Sequence, residues 1–238
     1  MRKSIRVVNL GRMPYGACWD LQHDVLEMCV RGELGDTLLL TEHDHVYTIG
    51  RSGSDHHLLA SDVELRERGV EVFHNDRGGD ITYHGPGQLV GYPILNLHNY
   101  YLDVHRYLRD LEEVVIRVLR AYGVHGNRLM DYTGVWVGNE KICAIGIKTS
   151  RWCTMHGFAF NVNTDLSFFG RIITCGIFDK GVTSLQTILG YCPEMDQIQR
   201  HIMREFDAVF EVVHTEGSFE DLPVHSSSVK QFLALHAA

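Results

Sequence analysis

The sequence lacks the features of several protein classes. It has no apolar run approaching the roughly 20 residues that span a bilayer, and no apolar signal-peptide segment follows its basic first residues, so we expect an unexported cytoplasmic protein without membrane contact. Its six cysteines include no Cys-x-x-Cys pair, which predicts neither structural zinc nor a disulfide framework. The formal net charge is −8, and no cluster of Lys and Arg that could neutralise phosphates is evident, so we expect no nucleic-acid partner.

Length and composition are those of a globular protein. With 238 residues, 45% of them hydrophobic and 22% charged, the chain can bury a full core and is near the upper size for one domain. No internal repeat or linker divides it. We expect a single, monomeric domain over residues 1–213 and a loosely ordered Ser-, Glu- and His-rich tail over residues 214–238.

Hydrophobic periodicity predicts strands and helices in a mixed order. Ser61 with Glu64 forms a capping box that begins a short helix, and a Gly138-Asn139 turn joins two strands of a hairpin. The other predicted helices begin at Pro14 or cover residues 102–122, 183–189 and 194–213, and the other predicted strands cover residues 5–10, 37–41, 46–50, 70–73 and 154–162.

The most informative stretch is rich in glycine. Residues 77–92 contain five glycines between two short β-type runs, and glycine permits backbone conformations and close ligand approach that a Cβ would forbid. A hairpin without any ligand would account for the Gly-Gly and Gly-Pro-Gly pairs equally well. The polar neighbours Arg77, Thr82, Tyr83 and His84 favour a binding site.

Small residues recur on the neighbouring predicted strands. Ala144, Gly146, Gly157 and Ala159 would leave a groove where larger side chains would fill the space. Such a groove suits an extended alkyl chain.

A histidine-rich turn offers an alternative site. His43 and His45, followed by His56 and His57, could suggest a metal, but no completing set of ligands stands at ligand spacing. We therefore interpret these histidines as members of solvated loops and predict no metal.

Four motifs, in this order, resemble the lipoyl(octanoyl) transferase family: RGGDITYHGPGQL from Arg77, KICAIGIK from Lys141, HGFAFN from His156 and TCGI from Thr174. The resemblance covers about residues 5–213. It implies the α+β fold of biotin and lipoate protein ligases, a single domain with a central mixed, largely antiparallel sheet flanked by helices.

The resemblance also implies an activity. Such enzymes move an octanoyl (or lipoyl) group from acyl carrier protein to a lysine of lipoyl domains, in 2-oxoacid dehydrogenases and the glycine cleavage H protein, as the first step of endogenous lipoate biosynthesis. No ATP or other cofactor is implied. The acidic chain would then need a local basic patch to dock acidic partners, and Arg77, Lys141, Lys148, Arg151 and Arg171 are candidates.

By the same resemblance, Cys175 is the nucleophile that carries the acyl group as a thioester, and Lys141 is the cation that favours its thiolate. The residues expected to bind the acyl group are Arg77, Gly78, Gly79, Asp80, Ile81, Thr82, Tyr83, His84, Ala144, Ile145, Gly146, Gly157, Phe158 and Ala159. His84 could instead act as a base, or simply order the Gly85-Pro86-Gly87 turn. Aromatic residues such as Tyr83 and Phe158 are more often core than contact residues.

Two other functions remain open at this point. An ATP-dependent lipoate or biotin ligase would share the fold but needs no cysteine nucleophile, and the absence of a Gly-x-x-x-x-Gly-Lys-Ser/Thr loop does not exclude it. A catalytically inactive protein could use the glycine-lined groove only to hold an acyl chain.

Overall fold

The computed structural model describes residues 3–173 and 180–236, which contain twelve strands and six α-helices. The strands are β1 (Lys3–Arg12), β2 (Thr37–Glu42), β3 (Val46–Ile49), β4 (Glu71–His74), β5 (Ile81–His84), β6 (Gln88–Ile94), β7 (Asn127–Leu129), β8 (Tyr132–Val137), β9 (Glu140–Ser150), β10 (Cys153–Asn161), β11 (Gly181–Val182) and β12 (Val212–Gly217). The helices are α1 (Tyr15–Arg31), α2 (Asp62–Glu67), α3 (Val104–Ala121), α4 (Leu185–Leu189), α5 (Met195–Phe210) and α6 (Ser227–His236).

The strands form a large sheet and a small sheet. In the described residues the large sheet has the order β12-β1-β2-β6-β10-β9-β8-β7, with β11 paired to β9, and the small sheet has the order β4-β3-β5. Pairs β1–β12, β1–β2 and β9–β11 are parallel, whereas the pairs from β2 through β6, β10, β9 and β8 to β7 are antiparallel. This mixed, largely antiparallel sheet confirms the fold class.

Helices cover both faces of the large sheet. On one face α3 and α5 contribute Leu111, Val115 and Phe206 to a core shared with Leu89 and Phe160 of the strands. On the other face α1 packs its buried side chains against β6 and β10. Each fully buried side chain of this kind stabilises the fold by roughly 1.5–3 kcal/mol relative to an exposed one.

Local sequence signals set several helix ends. The Ser61 hydroxyl accepts a hydrogen bond from the Glu64 backbone N–H while the Glu64 carboxylate accepts one from the Ser61 backbone, so the predicted capping box is confirmed. The Asp103 carboxylate caps α3 in the same way, by accepting from the backbone N–H of Arg106. No helix of the described ranges is long and apolar enough to cross a bilayer.

The structure corrects the expectation of a loose tail from residue 214. Strand β12 pairs in parallel with β1, and α6 packs on α1 with Val229 fully buried. The backbone N–H groups of His225 and Ser226 donate to the Asp24 carboxylate of α1, at 2.9 and 3.0 Å. The ordered part of the chain therefore extends to residue 236.

Candidate active site

A cavity of about 940 Å³, its open mouth included, lies where residues 77–79 cross strand β9. It is lined by most of the residues that the sequence predicted: Arg77, Gly78, Gly79, Asp80, Ile81, Thr82, His84, Lys141, Ala144, Ile145, Gly146, Gly157, Phe158 and Ala159. The motifs from Arg77, Lys141 and His156 thus meet at one place, although contact of these residues with an acyl group stays a prediction.

Other lining residues were missed by sequence reasoning, among them Tyr15, Gln88, Val90, Tyr92, Trp136, His156, Asn161, Lys180 and Val182. Val90 and Tyr92 alternate along β6 and so share one face of the sheet. Because every residue of β6 is buried, the alternation of side chains did not show which of the two faces of this strand lines the cavity.

Tyr83 is the predicted binding residue that does not line the cavity. Successive side chains of a strand point to opposite faces, so Tyr83 lies on the face of β5 opposite to Thr82 and His84. Ile81, at the start of β5, shares the face of Tyr83 and still lines the cavity. Its hydroxyl is 2.7 Å from His45 Nδ1, and its ring stacks on Phe168 with the centroids 4.8 Å apart. This side chain belongs to the core beneath the small sheet.

Arg77 braces the glycine-rich segment from within. Its guanidinium donates to the backbone oxygen and the hydroxyl of Thr48, at 2.6 and 2.9 Å, and to the backbone oxygen of Gly78 at 3.2 Å. Gly50 leaves room for this arrangement, because a Cβ there would lie 2.4 Å from the Gly79 oxygen and 2.8 Å from the guanidinium. Only 8% of Arg77 is exposed, so it is poorly placed to dock a partner.

Two other cations of the suggested docking patch are also engaged within the chain. Lys148 forms an ion pair with Asp76, and Arg171 lies 3.4 Å from Glu64. Three of the five suggested docking residues are therefore paired with groups of the chain itself.

His84 is held by hydrogen bonds at both ring nitrogens. Nδ1 is 2.8 Å from Gln88 Oε1, and Nε2 is 3.3 Å from the Thr48 hydroxyl. Since Gln88 Nε2 donates to Asn161 Oδ1 at 2.9 Å, Gln88 Oε1 accepts from His84, which places the histidine proton on Nδ1. Burial, with a smaller effect of the neighbouring His43, holds the pKa of His84 well below its usual value. A neutral histidine with both nitrogens engaged favours the ordering role over that of a base.

The hydrogen bonds around His84 form one chain across the site. Arg77 donates to Thr48, Thr48 to His84, His84 to Gln88, and Gln88 to Asn161. Asn161 Nδ2 then donates to the backbone oxygen of Thr183, 3.1 Å away. This buried chain joins the small sheet to the large one beside the cavity.

His43 is buried, in contrast to the solvated turn that the sequence suggested. Its Nδ1 is 2.7 Å from the Met13 backbone oxygen and its Nε2 is 2.8 Å from the Tyr92 hydroxyl. Burial lowers the pKa of His43 to about 4. Over residues 3–173 and 180–236, no three His, Cys, Asp or Glu side chains are grouped so as to hold a metal ion.

A β-bulge directs Lys141 toward the cavity. Strand β8 pairs Val135 with Cys143 but Trp136 with Lys141, so Ile142 is an extra residue on β9. Strict alternation from Ala144 would send Lys141 to the opposite face, and the bulge reverses that direction. Ile142 and Cys143 are both buried in the core below α3, whereas Lys141 lines the cavity with its Nζ 4.9 Å from the centre of the Trp136 ring.

Strand β11 fixes the backbone of Lys141 from the other side. Val182 pairs with Lys141 in parallel, and the backbone N–H of Thr183 donates to the Lys141 oxygen at 3.0 Å. The strand that supports the backbone of Lys141 therefore follows shortly after residues 174–179 in the sequence.

Comparisons with known proteins identify the family of this chain. The lipoyl protein ligase A/B catalytic domain family matches residues 14–207. Proteins named octanoyltransferase from Rubrobacter xylanophilus and Cytophaga hutchinsonii are 54% and 41% identical to the chain, over 84% and 91% of its length and 90% and 96% of theirs. The chain belongs to the octanoyltransferase family.

The fold of this octanoyltransferase family member is also that of a solved ligase. A crystal structure of lipoate-protein ligase A bound with ATP superposes with a TM-score of 0.75 at 16% identity, covering 99% of this chain and 94% of the ligase chain. At this identity the likeness concerns the fold alone.

The predicted nucleophile of the family, Cys175, lies outside the described residues, so its position beside Lys141 stays a prediction. Lys180, five residues further along the chain, lines the cavity. None of the five described cysteines lines it: Cys18, Cys29, Cys143 and Cys153 are buried, and Cys192 is exposed elsewhere. Burial raises the pKa of each of the four buried thiols, which makes them poor nucleophiles.

Proposed function

We propose that this enzyme transfers an octanoyl group from acyl carrier protein to a lysine of a lipoyl domain, through a thioester on Cys175. The observation that carries the proposal is the position of Lys141, which the bulge in β9 turns toward a cavity lined by Ala144 and Ala159. A cation beside an apolar slot can exchange protons with the groups that react at a thioester carbonyl while the alkyl chain of the thioester lies in the slot.

In the first half-reaction the Cys175 thiolate attacks the thioester carbonyl of the donor. The carbon–sulfur bond to the phosphopantetheine breaks, and the departing thiolate takes a proton from the Lys141 ammonium. An octanoyl thioester on Cys175 and a neutral Lys141 result.

In the second half-reaction the amine of the acceptor lysine attacks the acyl-enzyme. Lys141 accepts the proton that this amine loses, and Cys175 leaves as a thiolate. The product amide is more stable than the thioester, so transfer needs no ATP, and both protein groups return to their starting states.

The tetrahedral intermediate in each half-reaction carries an oxyanion that backbone N–H groups can stabilise. The N–H of Gly78 already donates to the Ile147 oxygen at 2.9 Å. Gly79, whose φ of +90° turns its peptide away from the usual strand geometry, is therefore the better candidate of this pair, together with the backbone at Cys175 or Gly176.

The acceptors that we propose are the lipoyl domains of 2-oxoacid dehydrogenases and the glycine cleavage H protein. We further propose that the enzyme works as a monomer in the cytoplasm. The lack of a free cationic surface among Arg77, Lys148 and Arg171 means that docking rests on other contacts near the mouth of the cavity.

Intact-mass spectrometry tests the proposal. Octanoyl–acyl carrier protein is incubated with the enzyme, and an octanoyl adduct that maps to Cys175 and moves to an added lipoyl domain is the expected result. Labelling that requires ATP and octanoic acid would identify a ligase instead. Reversible binding without an adduct would show a protein that only holds acyl chains.

A further inference from the structure

The wall of the cavity on the large sheet has a stepped profile. Registered pairs place Ala144 of β9 opposite Ala159 of β10, and Ala159 opposite Val90 of β6. Directly paired residues of antiparallel strands project from the same face, and all three line the cavity. Two methyl groups are therefore followed by a branched side chain, so the slot has a low floor across β9 and β10 and a step at β6.

Along β9 the slot is obstructed in one direction. The backbone of Gly78 crosses the strand at Gly146, where an added Cβ would lie 2.8 Å from the Gly78 oxygen. A chain whose carbonyl lies over Ala144 therefore has its open path across the strands, over Ala159 toward Val90.

The length of this path matches the proposed substrate. Adjacent strands lie about 4.8 Å apart, so β9 and β6 are separated by about 9.6 Å. An extended alkyl chain advances about 1.25 Å per bond, given bonds near 1.5 Å and angles near 111°, so the seven bonds from C1 to C8 span about 9 Å. An eight-carbon chain whose carbonyl lies at β9 thus ends at β6.

The step at β6 is rigidly supported. Tyr92, which lines the cavity two residues beyond Val90, is fixed through its hydroxyl by His43, and His43 is fixed by the Met13 backbone oxygen. Val90 itself is 1% exposed and packs in the core below α1. Interior side chains packed in this way yield little to an added methylene group.

We propose that Val90, backed by Tyr92, sets the acyl-chain length that this enzyme transfers. The inference rests on the proposed transfer from acyl carrier protein and adds the residue that ends the chain. Acyl groups longer than eight carbons meet the Val90 side chain, and shorter ones leave part of the slot empty.

Two substitutions at one position test the inference in opposite directions. Val90→Ala lowers the step and Val90→Ile raises it. Each enzyme receives an equimolar mixture of hexanoyl-, octanoyl- and decanoyl-acyl carrier protein, and the amides formed on a lipoyl domain are counted by mass spectrometry. Val25→Ala, a loss of the same size within α1 and away from the cavity, is the matched control.

Burial of each additional methylene is worth about fourfold, so the two additional methylenes of the decanoyl chain should raise the decanoyl-to-octanoyl ratio about sixteenfold in Val90→Ala. Val90→Ile should lower the octanoyl-to-hexanoyl ratio at least fourfold, and Val25→Ala should keep the wild-type ratios. Destabilisation alone would lower the amounts of all three products together. A shift toward longer chains in Val90→Ala and toward shorter chains in Val90→Ile therefore cannot result from destabilisation.

Unchanged product ratios in both Val90 variants would overturn the inference about chain length. Transfer by the wild-type enzyme would still support the proposed function. If the wild-type enzyme transferred none of the three acyl groups, the proposed function itself would fail. The two failures are thus distinguished within one experiment.

Discussion

The backbone oxygen of Lys141 accepts a hydrogen bond from the backbone N–H of Thr183, at 3.0 Å. Strand β11, which begins two residues after residues 174–179, is thereby attached to the strand that carries Lys141. In the proposed mechanism the same attachment joins the segment of the nucleophile to the residue that handles its protons. Lys141 and Thr183 are far apart in sequence, and the pairing of β9 with β11 brings them together.

Replacement of the proposed nucleophile is the most direct prediction. Cys175→Ser should abolish octanoyl transfer and the thioester adduct, because a serine hydroxyl is far less ionised than a thiol at neutral pH. Transfer of labelled octanoyl to a lipoyl domain is the measurement. Cys192→Ser, at the exposed cysteine, should retain full activity, and wild-type rates from Cys175→Ser would remove the cysteine mechanism.

Lys141→Met should slow both half-reactions by about 10²- to 10⁴-fold, the usual contribution of general acid–base catalysis. Loss of the cation should also raise the pKa of the Cys175 thiol, so its rate of alkylation by iodoacetamide should reach half-maximum at a higher pH. Lys230→Met, at an exposed position of α6, is the control. An alkylation profile that did not move would contradict the role of Lys141.

His84→Gln separates a base from a residue that orders the site. Glutamine can keep part of the hydrogen bonding to Thr48 and Gln88, so we expect a loss of about tenfold, below the 10²- to 10⁴-fold loss of a missing base. Because burial lowers the pKa of His84, its titration should not appear in the pH dependence of transfer above pH 6. A lost acid limb in the variant would instead identify His84 as the base.

His43 should make the stability of the protein depend on pH. Its pKa is about 4 in the fold and about 6.5 when unfolded, so the unfolded state binds more protons between these values. This residue therefore contributes to a loss of stability as the pH falls below 6.5, about 2 kcal/mol between pH 6.5 and pH 5.

Urea unfolding at pH 7 and pH 5 measures this contribution, with His43→Gln as the comparison. The variant should be less stable at pH 7, because the bonds to Met13 and Tyr92 are weakened, but should lose less on acidification. Equal losses for both proteins would show that other groups cause the pH dependence.

Gly146→Ala tests the crossing of the glycine-rich segment over β9. The new methyl group would lie 2.8 Å from the Gly78 oxygen and 3.2 Å from Arg77 Cδ, so it should push residues 77–78 away from Ile147. We expect a destabilisation of about 1–3 kcal/mol and at least a tenfold loss of transfer. Gly170→Ala, where a Cβ meets no atom within 4 Å, should have neither effect.

Local signals in the sequence predicted the elements better than their arrangement. The capping box of Ser61 and Glu64 acts within three residues, and the helix over Val104–Ala121 follows from its own periodicity. The tail from residue 214 was misjudged because its order comes from β1 and the Asp24 carboxylate of α1, which are distant in sequence.

The site was predictable as a set of motifs but not as a surface. Tyr83 stands inside the best motif and yet faces the core, because strand alternation divides its neighbours between two faces. Lys141 reaches the cavity through a bulge that depends on the pairing of β8 with β9. Val90 becomes visible as a lining residue only when the register of β6 with β10 is known.

The chain of hydrogen bonds from Arg77 to Thr183 has a single direction, since each member donates to the next. A member that lost its donor, as in Gln88→Glu, would leave two oxygens facing each other in a dry interior. The relative position of the two sheets is thus fixed by this directed set of hydrogen bonds as well as by side-chain packing. The slot consequently has its shape before any acyl group enters, and little conformational freedom is lost when one binds.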